Sequence, residues 1–294
     1  MQITKKELAK RADKIYELLR SCNICPRRCG VNRLDYKTGY CGINKEIIIS
    51  AFGPHFGEES VLVGYGGSGT IFFAGCNLKC IYCQNYEISH KRIGEKIDIE
   101  GLSKIMLKLQ EMGCHNINLV TPTHVIAQIL KALVLAVDKG LKLPLVYNSS
   151  GYDSVKTLRY LEGIIDIYMP DAKYIEPKVA KKYSDAYDYP LIMKETLKEM
   201  HRQVGDLIVD RNGLAKKGLL IRHLVLPNNT TDSYKVLNFI AKEISKDSYV
   251  NIMDQYRPCY KATDFKEISR RITYDEYNKV LEYAHNLGLH RGFE

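Results

Sequence analysis

The sequence predicts an α/β fold, a partial (β/α)6 barrel of the TIM-like kind behind an N-terminal cysteine-rich extension. Three observations predict it. Six apolar, β-rich runs, at 70–74, 117–120, 145–147, 164–169, 219–226 and 250–253, alternate with stretches of helical periodicity. The loop after the first run carries Cys76, Cys80 and Cys83, and the loops at strand C-terminal ends are where such folds place their chemistry. Ahead of that run lies a Gly- and Pro-punctuated segment with four more cysteines, too poor in apolar residues to fold by itself.

The 294 residues suffice for one barrel plus an extension, which divides the chain at 1–50 and 51–294. Hydrophobic content of 45% and charged content of 26% are those of an ordinary soluble domain. The most apolar stretch, Ile126 to Leu141, is interrupted by Lys131, Asp138 and Lys139, so it reads as an amphipathic helix and excludes a membrane role. The N-terminus has no signal-peptide core, and nine cysteines then argue for metal ligation in a reducing cytosol rather than disulfides. The net charge of +9 comes from scattered lysines without an arginine–aromatic stripe or a nucleic-acid module. It describes a solvated basic surface.

Taken in order, residues 4–20 form a helix: Thr4 and Glu7 make a capping box, and Leu8, Ile15, Leu18 and Leu19 an apolar stripe. Next come Cys22, Cys25, Cys29 and Cys41, spaced C-x2-C-x3-C-x11-C. Four such cysteines suit a structural zinc ion, an auxiliary Fe–S cluster or an unmetallated set of thiols, and the uneven spacing does not choose among them. Such a site would be structural or electron-relaying. Glu46 to Ser50 is a short β-like run, and residues 52–69 are a glycine-rich approach to the first barrel strand. Its Gly66-Gly67-Ser68-Gly69 lacks the Lys-Ser/Thr of a P-loop. Predicted helices then occupy 102–112, 124–139, 153–161, 195–204, 233–244 and 274–287.

Cys76, Cys80 and Cys83 stand at C-x3-C-x2-C spacing. A cubane takes about one thiolate per iron, so three cysteines hold three irons and leave the fourth open to a ligand from outside the protein. A zinc knuckle would need a fourth nearby ligand, for which His90 is a poor candidate, and a thioredoxin-like Cys80-x-x-Cys83 pair leaves Cys76 unexplained.

With Tyr82 before the last cysteine, this stretch resembles the signature of the radical S-adenosylmethionine (SAM) superfamily. Within it the chain resembles the pyruvate formate-lyase activating-enzyme group, in particular its branch with an additional N-terminal cysteine cluster. The resemblance implies a partial barrel of radical SAM type. It also implies a 4Fe–4S cluster whose open iron binds the amino and carboxylate groups of SAM, and reductive cleavage of SAM to methionine and a 5′-deoxyadenosyl radical. The implied partners are a glycyl-radical enzyme, which loses hydrogen from a backbone glycine, and an electron donor such as flavodoxin or ferredoxin. An oxygen-sensitive cluster implies a low-oxygen setting.

The strand ends supply the remaining cofactor-binding candidates, beside Tyr82. Thr121-Pro122-Thr123 follows the second strand where the family often carries Gly-Gly-Glu; Thr121 offers oxygen atoms there, and Thr123 is also suited to cap the next helix. Asn148 and Ser149 lie in a stretch similar to the family's Thr-Asn-Gly and suited to ribose hydroxyls, or else in a plain turn. Asp171 and Lys173 match Leu-Asp-Leu-Lys, as SAM or substrate contacts or as a surface ion pair, and Asp166 is a candidate internal acid. Arg222 matches Arg-x-x-x-x-Pro and is suited to a carboxylate, either a ligand's or that of Asp166 or Asp171. Gln255 shares a strand face with Met253, Cys114 reads as core, and Cys259 lies near the mouth. The readings of other kinds are a radical SAM enzyme acting on a different peptide, protein or small molecule, and a non-catalytic Fe–S electron-transfer or scaffold protein.

Overall fold

The computed structural model describes residues 2–293. Its strands are β1 (Ile47–His55), β2 (Ser68–Phe73), β3 (Glu95–Ile97), β4 (Ile117–Val120), β5 (Leu145–Ser149), β6 (Ile167–Pro170), β7 (Ile208–Val209), β8 (Ala215–Leu224) and β9 (Tyr249–Met253). The helices are α1 (Lys5–Glu17), α2 (Ser60–Val63), α3 (Tyr86–Ser89), α4 (Ile99–Glu111), α5 (Ile126–Asp138), α6 (Val155–Leu161), α7 (Pro177–Ser184), α8 (Tyr189–Val204), α9 (Ser233–Phe239) and α10 (Tyr274–Asn286). Among the described residues no helix is long and apolar enough to cross a membrane.

The sheet runs β3-β1-β2-β4-β5-β6-β8-β7, with β9 paired to β8. From β2 through β4, β5, β6 and β8 to β9 every pairing is parallel, so the six predicted strands are the six staves of an open barrel. They are legible because strands covered on both faces read as continuous apolar runs. Of the three antiparallel strands, β1 opens with the β-like run expected at 46–50 and pairs with β2 and β3, whereas β3 and β7, the latter paired with the start of β8, have no such pattern. β1 also alters the expected division of the chain, because residues 50 and 51 fall within it. It belongs to the barrel sheet, not to the approach.

Two cores result. Inside the barrel, α2 brings Leu62 against Val146, Ile167, Met169 and Leu220. Val146 and Ile167 lie at the start of β5 and β6, and Met169 and Leu220 lie further along β6 and β8. Outside, one continuous core joins the helices to the sheet and includes Leu8, Ile15, Leu19, Ile24 and Ile43 of the extension. α1 lies antiparallel on α5, with Lys5 reaching Asp138 at 3.0 Å and Asp13 pairing with Lys131. The extension therefore has no core separate from the barrel's.

Several boundaries differ from expectation for local reasons. Thr4 does accept the Glu7 N–H at 3.2 Å, but the Glu7 carboxylate turns to Arg11 at 2.8 Å, so the capping box is half made. The fourth barrel strand begins at Ile167, because the Ile164 N–H closes the end of α6 on Leu161. Asp166 is then no interior acid; its carboxylate receives the Leu145 N–H at 2.9 Å. Helix α8 starts at Tyr189 rather than Glu195, and the region 233–244 is α9 followed by a π-helical turn.

Burying a Leu or Ile side chain contributes roughly 1.5–3 kcal/mol, and truncation adds the cost of a cavity. Ile15 is fully buried between the extension and the barrel. Ile15→Ala is expected to cost about 2–4 kcal/mol in urea unfolding. Leu191→Ala, at a position 62% exposed, is expected to change it by less than about 0.5 kcal/mol.

Candidate active site

Residues 74–85, which carry the three cysteines, form no helix or strand, so other elements must hold them. The Asn77 side chain donates to Tyr152 O at 2.7 Å, and Lys79 and Ile81 N–H groups donate to Ser184 O and Tyr183 O at the end of α7. His124 and His90 hold Ala74 O and Cys80 O at 2.8 and 3.1 Å. Each sulfur has a polar neighbour: Leu78 N–H at 3.3 Å for Cys76, the Ser184 hydroxyl at 2.9 Å for Cys80 and the Ser89 hydroxyl at 3.2 Å for Cys83. Hydrogen-bond donors of this kind favour an anionic, metal-bound sulfur. Without a metal, burial first and then the neighbouring thiols push Cys76 up to about 12 and Cys80, chiefly through burial, to about 11.

The cysteines face a cleft of about 270 Å³ bounded by the C-terminal ends of the parallel strands. This is small-molecule scale. Its charged wall is one connected group. Arg222 donates through Nε to Asp171 Oδ1 at 3.0 Å and through Nη2 to Asn148 Oδ1 at 2.7 Å; Lys173 Nζ donates to Asp171 Oδ2 at 2.6 Å. Burial pushes the Asp171 carboxyl up, but the Arg222 and Lys173 charges outweigh it and hold it below the usual carboxylate range. For Lys173 burial opposes the charged form, and Asp171 and the Cys80 sulfur more than restore it, leaving the ammonium pKa raised. The rival pairing of Arg222 with Asp166 is not made.

A turn at Gly151 makes this geometry possible. Its φ is +72°, and a Cβ there would stand 2.2 Å from Asp171 O, so only glycine lets the loops after β5 and β6 close together. Tyr189 locks the same junction, donating to Ser150 O or Asp171 O, each at 2.9 Å.

The structure gathers Cys76, Cys80, Cys83, Tyr82, Thr121, Asn148, Ser149, Asp171, Lys173, Arg222 and Gln255 around this one cleft. Two roles change. The Ser149 hydroxyl is committed to Asp153 at 2.6 Å, and the Ser150 hydroxyl next to it is the buried one without a partner. Thr123 likewise donates to Asp153 at 2.7 Å rather than capping a helix, and α5 begins three residues later. Tyr82 points into the protein, its hydroxyl on that of Tyr174. Asp153, Tyr174, Ser184 and Tyr189 were missed by sequence reasoning, because nothing local marks a residue that supports a site from a neighbouring loop or helix end. Cys114 is core, as expected, and Cys259 is half-buried close enough to Cys83 to raise its pKa.

In the extension Cys22, Cys25, Cys29 and Cys41 stand within electrostatic reach of one another; burial first, then the other three thiols, push Cys25 up to about 12. Among the described residues no three His, Cys, Asp or Glu side chains close tightly around a single point as one metal ion requires.

This arrangement agrees with what the comparisons find. Residues 70–240, more than half of the chain, match the model of the radical SAM superfamily, and the chain belongs to that superfamily. Two uncharacterised proteins of Methanocaldococcus jannaschii are similar to it. MJ0674 is 35% identical over 92% of this chain and 76% of its own length, and MJ0808 is 23% identical over 93% and 79%. Among solved structures, HydG, a maturase of the FeFe-hydrogenase, aligns over 99% of this chain and 63% of its own at 13% identity, with a TM-score of 0.51. That likeness is one of fold. Family membership brings a 4Fe–4S cluster and SAM, and a trio of donor-flanked sulfurs beside a polar cleft fits both.

Removing Asp171 leaves two cations without a counter-charge. The three side chains keep 14–19% of their surface, so Asp171→Asn is expected to cost about 3 kcal/mol, the low end for a broken buried pair. Lys181→Ala, which breaks the exposed pair with Asp185, is expected to cost under about 1 kcal/mol. The Asp171 pKa is depressed on folding, so its contribution is present above the ordinary value of about 3.9 and is lost as pH falls through the lower folded-state value. Unfolding measured against pH is expected to show that acid-side loss in wild type and its reduction in Asp171→Asn.

Proposed function

We propose that this protein is a radical SAM enzyme that removes hydrogen from a backbone glycine of a glycyl-radical enzyme. Supporting this are the cysteine stretch's resemblance to the pyruvate formate-lyase activating-enzyme group and the open barrel, which leaves its mouth reachable by a protein loop. The observation that carries the radical chemistry is the placement of Cys76, Cys80 and Cys83 on one side of a cleft, with Arg222, Asp171, Lys173 and Asn148 on its wall.

The bound cluster, once reduced, supplies the electron that cleaves SAM to methionine and a 5′-deoxyadenosyl radical. The protein's own residues bind and orient. Cys76, Cys80 and Cys83 hold three irons, and the Ser184 and Ser89 hydroxyls steady two of the sulfurs. Arg222 and Lys173 offer cationic donors to the SAM carboxylate, and Asp171 accepts from its amino group. The free Ser150 hydroxyl, with the Asn148 amide, faces the ribose. The charged wall is pre-assembled, so ordering it costs little when SAM arrives. The same reading includes a second metal centre at Cys22, Cys25, Cys29 and Cys41, an electron donor of the flavodoxin or ferredoxin kind, and work in a low-oxygen cytosol.

The first test is anaerobic reconstitution with iron and sulfide, dithionite reduction and addition of SAM, followed by chromatography for 5′-deoxyadenosine. Wild type is expected to form it and Cys80→Ala to lose it. No product from a reduced, assembled cluster that binds SAM would sink the reading. With pyruvate formate-lyase as the probe partner, a glycine-centred radical signal is expected by electron paramagnetic resonance. Cleavage of SAM without that signal would point to another substrate.

A further inference from the structure

The cysteines of the extension sit beside an unanswered charge. Arg33 is fully buried, and its guanidinium donates to Asn44 O at 2.7 Å, to His124 O at 2.7 Å and toward Cys22 Sγ at 3.8 Å. Among the described residues no carboxylate pairs with it. A buried cation needs an anion, and the group at hand is a sulfur, that of Cys22. Four thiolates around metal carry net negative charge and meet that need.

The same segment is joined to the other cysteine loop. Gly75, the residue before Cys76, has φ +83°, and a Cβ on it would stand 2.9 Å from Cys41 O and 2.6 Å from the Ile43 side chain. Arg27, between Cys25 and Cys29, donates to Asn77 O at 2.8 Å and to Asp185 O at 2.7 Å. Tyr40, beside Cys41, sends its hydroxyl to Asp185 at 2.7 Å and its N–H to Cys29 Sγ at 3.3 Å. One ligand of each set is thus separated from the other by a single backbone contact.

Resting on the radical SAM function proposed above, we infer that Cys22, Cys25, Cys29 and Cys41 hold an iron–sulfur cluster, with Arg33 as its buried counter-cation, that relays electrons across the Cys41–Gly75 contact to the Cys76–Cys80–Cys83 site. In each transfer an external carrier loses one electron and this cluster gains it. The cluster then returns to its oxidised state as the electron passes to the SAM-cleaving cluster; no bond is made or broken and no proton moves. Zinc has no second redox state and could not do this. Apart from the buried Arg33, residues 22–45 carry Arg27, Arg28, Lys37 and Lys45 against one acid, Asp35, so the fitting donor is an acidic one-electron carrier.

The test uses the whole protein, reconstituted anaerobically. Wild type is expected to hold more iron than the roughly four of one cubane. Reduced flavodoxin is expected to reduce the SAM-cleaving cluster, followed by freeze-quench paramagnetic resonance, severalfold faster relative to dithionite in wild type than in Cys25→Ser/Cys29→Ser. Arg33→Met is expected to keep the iron while moving the potential of the N-terminal cluster to a more negative value, since the reduced, more anionic form loses its counter-cation. One zinc with the iron of a single cubane, or equal flavodoxin-to-dithionite ratios in both proteins, would overturn the inference. If the double variant does not fold, Arg33→Met decides alone: an unshifted potential overturns it. Failure of the radical SAM reading looks different, as electrons would reach both clusters without 5′-deoxyadenosine forming.

Discussion

Three sulfurs must be presented at fixed positions by a stretch of chain with no helix or strand of its own. Backbone groups in such a loop satisfy few of one another, so most must find a partner elsewhere. Much of the molecule around residues 76–83 meets that demand: Tyr152 receives the Asn77 amide, α7 accepts from Lys79 and Ile81, and Arg27 of the extension takes Asn77 O. The extension is a support of the site as well as a cover for the barrel.

Charge is handled in two contrasting ways. At the mouth, Asp171 lies between Arg222 and Lys173, and Glu58 and Glu59 are also within electrostatic reach of Arg222. In the extension Arg33 has only carbonyls and a sulfur around it. The first is an ion cluster with its own counter-charge; the second is a buried guanidinium held by neutral groups.

The expected strands were recovered where burial on both faces erases polar alternation, as in β5 and β6. The expectation failed where an element owes its form to a neighbour. β3 is a run of Glu95, Lys96 and Ile97 that becomes a strand only because β1 offers it an edge. α7 is lysine-rich, and its ordered end depends on Tyr183 and Ser184 docking onto the cysteine loop. The assignment of Ser149 rather than Ser150 had the same origin: which hydroxyl is free depends on Asp153, and its other partner, Thr123, is thirty residues away in the chain.

By itself the sequence determined the alternating βα order, the cysteine spacing after the first barrel strand and the strand-end positions of Asn148, Asp171, Lys173 and Arg222. Each of these is written in spacing or periodicity along the chain, and short-range sterics and burial translate such patterns directly into structure. Only the tertiary structure decided that Arg222 pairs with Asp171, that Thr123 and Ser149 serve Asp153, and that the two cysteine sets meet at Gly75 and Cys41. These are contacts between segments distant in sequence. Their energies depend on geometry that exists only after the barrel has closed, and local pattern carries no record of it.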